Sequence, residues 1–383
     1  MGLGTAHALL KRGRRVSVTV LEKERDAGSH QSTHNSGVLH SGLYYRPGSA
    51  KARLAVRGIR AMTEFCKEGG LAYDICGKLV VATTSDEVPG LRALHERGTA
   101  NGLRGLQWLS PEQAREVEPH VQCVAALRVP EEGIVDYAGV VQRLRVLIES
   151  AGGEVRTGCE ARSITHLSQG WRVQAGASDI AADFIVNCAG LHADRVAALA
   201  GEPRECAILP FRGEYFSLRP DRQHLVRHLV YPVPDPAFPF LGVHFTRRIF
   251  GGVDCGPNAV LALAREGYRL SQINPRDTFE SLSYPGLWRF LAKYPRMAWY
   301  EVARSMNKRL FAASLQRLVP ELREEDLLPG GSGVRAQAVR ADGRLVRDFL
   351  MVERADAVHV LNAPSPAATA SLVIGEEIAS KVC

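Results

Sequence analysis

The sequence predicts an α/β protein in which a parallel sheet is accompanied by a second unit of α+β type. A helix at residues 6–10 precedes a β-branched strand at 16–21, and the apolar run at 182–190 is typical of a buried parallel strand. Between residues 206 and 332, short strands alternate with Pro/Gly turns, as in antiparallel sheets. The chain has 383 residues, 45% of them hydrophobic, which is enough for two hydrophobic cores.

The beginning of the chain matches the later part of a dinucleotide-binding motif. In that motif G-x-G-x-x-G joins a first strand to a helix, and an acidic residue about 20 positions later binds ribose hydroxyls. Gly2 fits the third glycine and Glu22 the acidic residue, but the first strand and two glycines are missing. Any α/β protein that begins with a helix would give the same pattern. On the dinucleotide interpretation, the Rossmann-like sheet lacks its first strand, and we expect weak cofactor binding that an upstream extension restores.

The remaining elements alternate in a way that divides the chain into two discontinuous units. We expect residues 1–75, 130–205 and 333–383 to form the dinucleotide-binding domain, and residues 76–129 and 206–332 the substrate domain. Predicted helices cover 49–66, 87–100, 111–118, 137–150, 285–291 and 297–318, and predicted strands cover 77–83, 154–159, 171–175 and 359–362. Pro366 is expected to open the closing helix, where its missing N–H costs nothing.

Composition and charge exclude several classes of protein. The net charge of +7 is spread along the chain without a nucleic-acid-binding motif, so we expect no nucleic-acid partner. The charge either steers an acidic substrate or only solvates the surface. Eight cysteines without a C-x-x-C pair indicate reduced thiols. No apolar run approaches the roughly 18–20 residues of a membrane span, which leaves only peripheral membrane contact open.

Two segments of small and polar residues are the strongest functional signals. Residues 34–45, the early loop, contain His34, His40, two Ser-Gly pairs and two tyrosines, and residues 362–369 join the last strand to the closing helix. Small residues let a planar cofactor approach the backbone, while the polar side chains of the same loop face a substrate.

These segments are similar to those of a known family. The chain resembles the FAD-dependent L-2-hydroxyglutarate dehydrogenases and oxidases, within the larger superfamily similar to D-amino-acid oxidase. The matching stretches run in one order over essentially the whole chain. They are residues 20–24, 34–45, 76–79, 133–137, 188–191, 210–215, 231–235, 240–246, 256–260, 333–338 and 362–369. The missing N-terminal strand and glycines depart from the family pattern.

The resemblance implies that FAD accepts a hydride at flavin N5 while a protein base accepts the hydroxyl proton, so that L-2-hydroxyglutarate becomes 2-oxoglutarate. A histidine suits the base because its pKa lies near neutral pH. His40 and His244 both lie in matching stretches, and either could be only a structural histidine. We favour His40, since the related glycerol-3-phosphate dehydrogenases carry a histidine in the corresponding loop.

The remaining roles are predicted from residue chemistry within the matching stretches. A dicarboxylate needs cationic donors. We expect Arg335 to bind the α-carboxylate and Arg212 to bind the distal carboxylate, although Arg212 could instead form a surface ion pair. Tyr45 either donates a hydrogen bond to the substrate through its hydroxyl or only packs as an aromatic ring. The N–H groups at the start of the closing helix would stabilise negative charge on the reduced flavin. The predicted FAD-binding residues are Gly2, Glu22, Lys23, Asn35, Ser36, Gly37, Val38, Gly190, Gly333, Ser365, Ala367, Ala368 and Thr369.

The sequence leaves the electron acceptor, the location and two alternative functions open. No metal is expected, because His30 and His34 lack a third ligand. The electron acceptor is a quinone, an electron-transfer flavoprotein or oxygen. We expect a cytoplasmic location, mitochondrial in a eukaryote, with contact at the inner membrane open. The alternatives are an amine or amino-acid oxidase of the same superfamily and an inactive truncated product unable to hold FAD.

Overall fold

The computed structural model describes residues 1–13, 16–235 and 241–382. Residue 240 of one matching stretch, Pro236 of a Pro/Gly turn and Arg14 and Arg15 lie outside the described residues. The helices are α1 Gly2–Lys11, α2 Ala50–Gly69, α3 Val88–Ala100, α4 Pro111–Val117, α5 Tyr137–Ser150, α6 Ala193–Leu199, α7 Pro275–Leu282, α8 Pro285–Lys293, α9 Pro295–Met306, α10 Lys308–Gln316 and α11 Ser371–Val382.

The strands are, in chain order, β1 Thr19–Leu21, β2 Val38–Leu39, β3 Tyr73–Asp74, β4 Lys78–Ala82, β5 Gln107–Leu109, β6 Ala125–Val129, β7 Gly133–Val135, β8 Glu154–Arg156, β9 Ala161–His166, β10 Trp171–Ala175, β11 Ser178–Ala182, β12 Ile185–Asn187, β13 Cys206–Leu218, β14 Leu229–Pro232, β15 His244–Arg247, β16 Val253–Gly256, β17 Val260–Leu261, β18 Leu327–Arg340, β19 Leu350–Glu353 and β20 Ala357–Asn362. This mixture confirms the predicted α/β class with an additional antiparallel part.

The parallel strand pairs lie in two separate sheets. β1 pairs in parallel with β8, and β12 pairs in parallel with β20, whose other edge carries the antiparallel β19. Both β1 and β12 are only half-buried, although β12 was predicted as a buried strand. Their residues line one cleft between the two sheets, which explains the exposure.

The largest sheet is mostly antiparallel and carries the second predicted unit. Its strand order is β17-β13-β16-β15-β14-β4-β6-β5, and the long strand β18 pairs along β13 from Cys206↔Arg340 to Leu218↔Leu327. Only the β14–β4 pair in this sheet is parallel. α10 packs on one face of it through Phe311 and Leu315. The predicted boundary at residue 333 falls inside β18, and the division into two domains stays a prediction.

Two helices approach closely behind the cleft. A Cβ on Gly4 of α1 would lie 2.6 Å from the carbonyl oxygen of Ser371, and a Cβ on Gly375 of α11 would lie 2.4 Å from the carbonyl carbon of Gly4. Only glycine permits this contact, because any side chain would collide with backbone. The position where a third motif glycine was expected, Gly2, makes a looser contact with the Cβ of Cys188 at 3.5 Å.

Several predicted bounds were wrong for local reasons. The predicted helix 297–318 is two helices, because the side chain of Asn307 accepts hydrogen bonds from the N–H groups of Arg309 and Leu310 and so begins α10. The strands predicted at 16–21, 154–159 and 182–190 are shorter, as β1, β8 and β12. The closing helix begins at Ser371 rather than Pro366. Within the described residues, no helix has both the length and the apolar character needed to cross a bilayer.

Candidate active site

A cleft of about 2070 Å³ runs from the two parallel strand pairs to the large sheet. Pockets for a single small ligand usually occupy roughly 300–1,000 Å³, so this cleft has room for a large cofactor together with a substrate. It is lined by most of the predicted site residues, namely Gly2, Glu22, Lys23, Asn35, Ser36, Val38, His40, Tyr45, Gly190, His244, Gly333, Arg335, Ser365, Ala367, Ala368 and Thr369. The structure therefore brings the early loop and the segment before α11 together, as predicted.

A hydrogen-bond network joins the early loop to the closing loop (residues 362–370). The backbone N–H of His40 donates to Oγ1 of Thr369 at 3.2 Å, and that hydroxyl donates to the carbonyl of Val38 at 3.3 Å. The buried phenol of Tyr137 donates to the same Val38 carbonyl at 3.1 Å. The hydroxyls of Tyr45 and Ser365 lie 3.3 Å apart. Thr369 thus holds the two loops in register, a structural role that was not predicted for it.

The closing loop differs from the predicted helix start. The N–H of Ala367 donates to the carbonyl of Pro364 at 3.1 Å, so it is already used inside the loop. Among the described residues, no acceptor is hydrogen-bonded to the N–H groups of Ala368 and Thr369, which border the cleft. These two donors can therefore bind a polar or negatively charged ligand group.

The ends of strands place the other small and acidic residues along the cleft. Glu22 follows β1, and its Oε1 accepts the N–H of Glu24 at 3.0 Å. The ammonium of Lys23 pairs with Glu266 at 2.6 Å and so connects the two parts of the chain. A Cβ on Gly333 would lie 2.2 Å from the carbonyl oxygen of His34, so only glycine lets β18 approach the early loop. The side chain of Asn35 accepts the N–H of Gly37 at 2.8 Å and closes the turn before β2.

His40 lies in front of a buried carboxylate. Its Nδ1 is 3.8 Å from Oε2 of Glu132, and the other oxygen of Glu132 accepts hydrogen bonds from the hydroxyl and N–H of Ser41 at 2.8 and 3.2 Å. Glu132 also pairs with the ammonium of Lys78, and neither side chain is exposed. Burial would raise the pKa of Glu132, but Lys78 and His40 hold it at about 2. Burial lowers the pKa of His40, and Glu132 opposes that shift.

His244 lines the same cleft but has different surroundings. Its Nδ1 lies 2.8 Å from the carbonyl of Gly242, and its ring stacks on that of Tyr231 with centroids 3.7 Å apart. A carbonyl acceptor fixes the proton on Nδ1, which leaves Nε2 as an acceptor. Burial lowers the pKa of His244 to about 3. The side chain is therefore a neutral hydrogen-bonding group at physiological pH.

The two predicted carboxylate-binding arginines are placed differently. Arg335, on β18 opposite Phe211, lines the cleft, and its charge contributes to lowering the pKa of His244. Arg212 is buried, pairs with Glu214 at 3.0 Å and donates to the carbonyl of Arg269 at 3.3 Å. It does not line the cleft. The prediction that Arg212 holds a substrate carboxylate is therefore not supported, because its strand position turns the guanidinium away.

Sequence reasoning missed several polar groups around His40. Lys51, Arg97 and Tyr44 also line the cleft, and the buried pair Lys78–Glu132 lies behind it. Lys78 belongs to a stretch on which the resemblance rests, and Glu132 directly precedes another, so proximity to those stretches was an available signal.

One group with metal-binding chemistry lies at the edge of the cleft. Ligand atoms of Glu24, His30 and Glu266 lie within 4.8 Å of one another among the described residues. The ammonium of Lys23 pairs with both carboxylates and already neutralises part of their charge.

Comparison with known proteins identifies the family. The family model described as "FAD dependent oxidoreductase" (DAO) matches residues 1–381. The chain belongs to this family.

Three sequence relatives of this FAD-dependent oxidoreductase share the name L-2-hydroxyglutarate dehydrogenase. An L-2-hydroxyglutarate dehydrogenase of Indibacter alkaliphilus is 44% identical over 376 residues, covering 98% of this chain and 94% of the relative. An L-2-hydroxyglutarate dehydrogenase of Escherichia coli K12 is 43% identical, covering 100% and 90%. Its counterpart from Nematostella vectensis, named as mitochondrial, is 42% identical, covering 100% and 88%. The solved L-α-glycerophosphate oxidase of Mycoplasma pneumoniae with FAD bound shares the fold, with 22% identity, a TM-score of 0.77 and coverage of 100% and 92%.

The residues of this FAD-dependent oxidoreductase fit its cofactor. The two unpaired N–H donors of Ala368 and Thr369 face the same cleft as the Glu22 carboxylate. Gly190 lines the same cleft, and its φ of 54° is a backbone conformation that favours glycine. A flavin dinucleotide requires three such features. They are N–H donors for the polar edge of the ring, an acidic residue for the ribose hydroxyls, and glycines that let the backbone approach the cofactor.

Proposed function

We propose that this FAD-dependent oxidoreductase oxidises L-2-hydroxyglutarate to 2-oxoglutarate. The observation that carries the proposal is the full-length identity of 42–44% to three relatives that share the name L-2-hydroxyglutarate dehydrogenase. The cleft supports it, because a histidine backed by a carboxylate and an arginine border the same space. A cleft lined by His40, Lys51 and Arg335 suits an anionic hydroxy acid better than the neutral or cationic group of an amine.

The reaction removes a hydride from C2 of the substrate and a proton from its hydroxyl. FAD, when bound, supplies the two-electron acceptor for the hydride. Nε2 of His40 accepts the hydroxyl proton, and the carboxylate of Glu132 stabilises the imidazolium that results. Arg335 binds the α-carboxylate with its planar pair of donors and so orients C2. His244 stays neutral throughout the reaction and contributes only a hydrogen bond to the substrate.

The test is anaerobic reduction of the purified, FAD-loaded protein, followed by the loss of flavin absorbance near its visible maximum. L-2-hydroxyglutarate should bleach the flavin and yield 2-oxoglutarate, whereas the D enantiomer and glycine should not. Bleaching by glycine or another amino acid in place of the hydroxy acid would favour an amine oxidase and overturn the proposal.

For the electron acceptor we propose a quinone at a membrane surface. Trp299, Val302 and Met306 lie three or four positions apart on α9 and form one exposed stripe; Trp299 is 76% and Met306 82% exposed. Exposed Arg296 lies on α9 itself, and exposed Lys293 and Arg309 lie on the helices that precede and follow it in the chain. Aromatic and aliphatic side chains flanked by cations suit the interface of an anionic bilayer.

Co-sedimentation with vesicles tests the surface. We expect the protein to bind phosphatidylglycerol vesicles, and the double variant Trp299→Ser/Met306→Ser to bind about a hundredfold or more weakly, because each side chain loses a burial of roughly 1.5–3 kcal/mol. Phe250→Ser, at an equally exposed aromatic in the turn between β15 and β16, is the control. Equal binding by the double variant and Phe250→Ser would contradict the proposal.

A further inference from the structure

Lys51 is a cation in the cleft without an assigned role. It lies in the first turn of α2, whose Ser49 cap accepts the N–H of Ala52 at 3.2 Å. Its ammonium lies 4.5 Å from the centroid of the Tyr45 ring, and Tyr45 is hydrogen-bonded to Ser365 of the closing loop. Lys51 therefore lies next to the junction of the two loops and lines the same cleft as His40, whose pKa its charge helps to lower.

Most other cations that line the cleft already have a carboxylate partner. Among the described residues, Lys23 pairs with Glu266, Arg195 with Glu280 and Arg204 with Asp194. Arg162 and Arg276 pair with Glu160 and Glu280 in the same way. The guanidinium of Arg97 donates to the carbonyl of Tyr44 at 3.1 Å.

Lys51 differs from these cations. No carboxylate of the described residues forms an ion pair with its ammonium, although the nearby Asp348 accepts the backbone N–H of Lys51 at 3.2 Å and that of Phe349 at 2.9 Å. Burial lowers the pKa of Lys51 to about 8, and Asp348 opposes the shift. A half-buried ammonium with no direct ion pair is only partly compensated by Asp348, so an anion that enters the cleft gains a strong interaction there.

We propose that Lys51 binds the distal carboxylate of a dicarboxylic hydroxy acid and sets the preference for dicarboxylates. The assignment rests on the proposed function, in which Arg335 holds the α-carboxylate. Lys51 thereby takes the role that was predicted for Arg212. The Tyr45 ring packs against the ammonium by a cation–π contact and keeps it directed into the cleft.

The experiment compares Lys51→Met and Lys51→Arg with the wild type on substrates that differ only at the distal end. For Lys51→Met, the KM for L-2-hydroxyglutarate should rise about 10–100-fold, the loss expected for one charge-assisted contact. The KM for L-2-hydroxybutanoate, which lacks the distal carboxylate, should stay within about twofold. Lys51→Arg should recover most of the lost affinity, because it keeps the charge.

A binding measurement separates this inference from the proposed function. Calorimetry with glutarate, which has both carboxylates but no oxidisable hydroxyl, should show the same 10–100-fold loss for Lys51→Met, and butanoate should show no loss. Lys67→Met, at the exposed end of the same helix, is the control. Equal effects on the two acids, or none, would overturn the role of Lys51. A wild type that binds glutarate through Lys51 but does not oxidise L-2-hydroxyglutarate would overturn the proposed function alone.

Discussion

His40 and His244 lie in one cleft but have opposite surroundings. Behind His40 is the carboxylate of Glu132, itself paired with Lys78. Behind His244 is an uncharged carbonyl, and its ring is covered by Tyr231. Burial lowers the pKa of both imidazoles, but only His40 has a negative charge that opposes the shift.

The difference shows that the group next to Nδ1 decides whether a buried histidine can accept a proton at Nε2. A carboxylate stabilises the imidazolium and lets the side chain accept a proton during a reaction, whereas a carbonyl fixes one tautomer of the neutral ring. The preference for His40 as the base, first made from the resemblance, thus has a physical reason. This difference can be tested by substituting His40, Glu132 and His244 separately.

The largest effect is expected for His40→Ala. Without the base, the rate of anaerobic flavin reduction by L-2-hydroxyglutarate should fall by about 10²–10⁴, the usual contribution of general base catalysis. The FAD content of the purified variant should remain that of the wild type, because the backbone N–H of His40, not its side chain, contacts Thr369. Stopped-flow absorbance measures the rate. A reduction rate unchanged from the wild type would exclude His40 as the base.

The two loops around His40 show which features could be predicted from the sequence and which could not. The composition of residues 34–45 and 362–369 predicted that the two segments lie together, because small and polar residues cluster where backbone and ligand come close, and in the structure both line one cleft. The start of α11 was wrong, since Pro366 is compatible with a helix start but also with the turn that the structure contains. Local propensity could not choose between the two; the packing of Gly4 against Gly375 fixes where α11 lies.

Groups behind the loops were harder to predict. Arg212 lies in a matching stretch and Lys51 follows one by six positions. Only the register of β13 against β18 and the position of α2 show that Lys51, and not Arg212, lines the cleft. Glu132 lies 92 positions after His40 in the chain, and the pairing of β2 with β7 is what brings them together. Such contacts depend on strand register, which a single sequence specifies poorly.

A smaller effect is expected for Glu132→Gln, which removes the charge but not the shape. The maximal reduction rate should fall by about 10–100-fold, as for the loss of a charge-assisted contact of roughly 1.5–3 kcal/mol. Because Glu132 raises the pKa of His40 while Lys78 and Lys51 lower it, the rising limb of the pH–rate profile should move to lower pH. A purely structural role would lower the rate without moving that limb.

A second variant keeps this prediction testable if the unpaired Lys78 prevents folding. The double variant Glu132→Gln/Lys78→Met removes both buried charges and leaves neutral groups of similar size. It should fold and still show the lower maximal rate. Wild-type rates in a folded double variant would contradict a positioning role for Glu132.

The smallest effect is expected for His244→Phe, and it concerns stability rather than rate. The pKa of His244 is about 3 in the fold and near 6.5 when unfolded, so the unfolded state binds the extra proton first. The wild type should therefore lose stability as the pH falls below 6.5, at a limit of about 1.4 kcal/mol per pH unit, while the variant lacks this contribution. Its melting temperature should then fall less than that of the wild type between pH 7.5 and 5.5. His40 keeps its side chain in both proteins and cancels from the comparison, so parallel decreases would show that His244 is not held neutral.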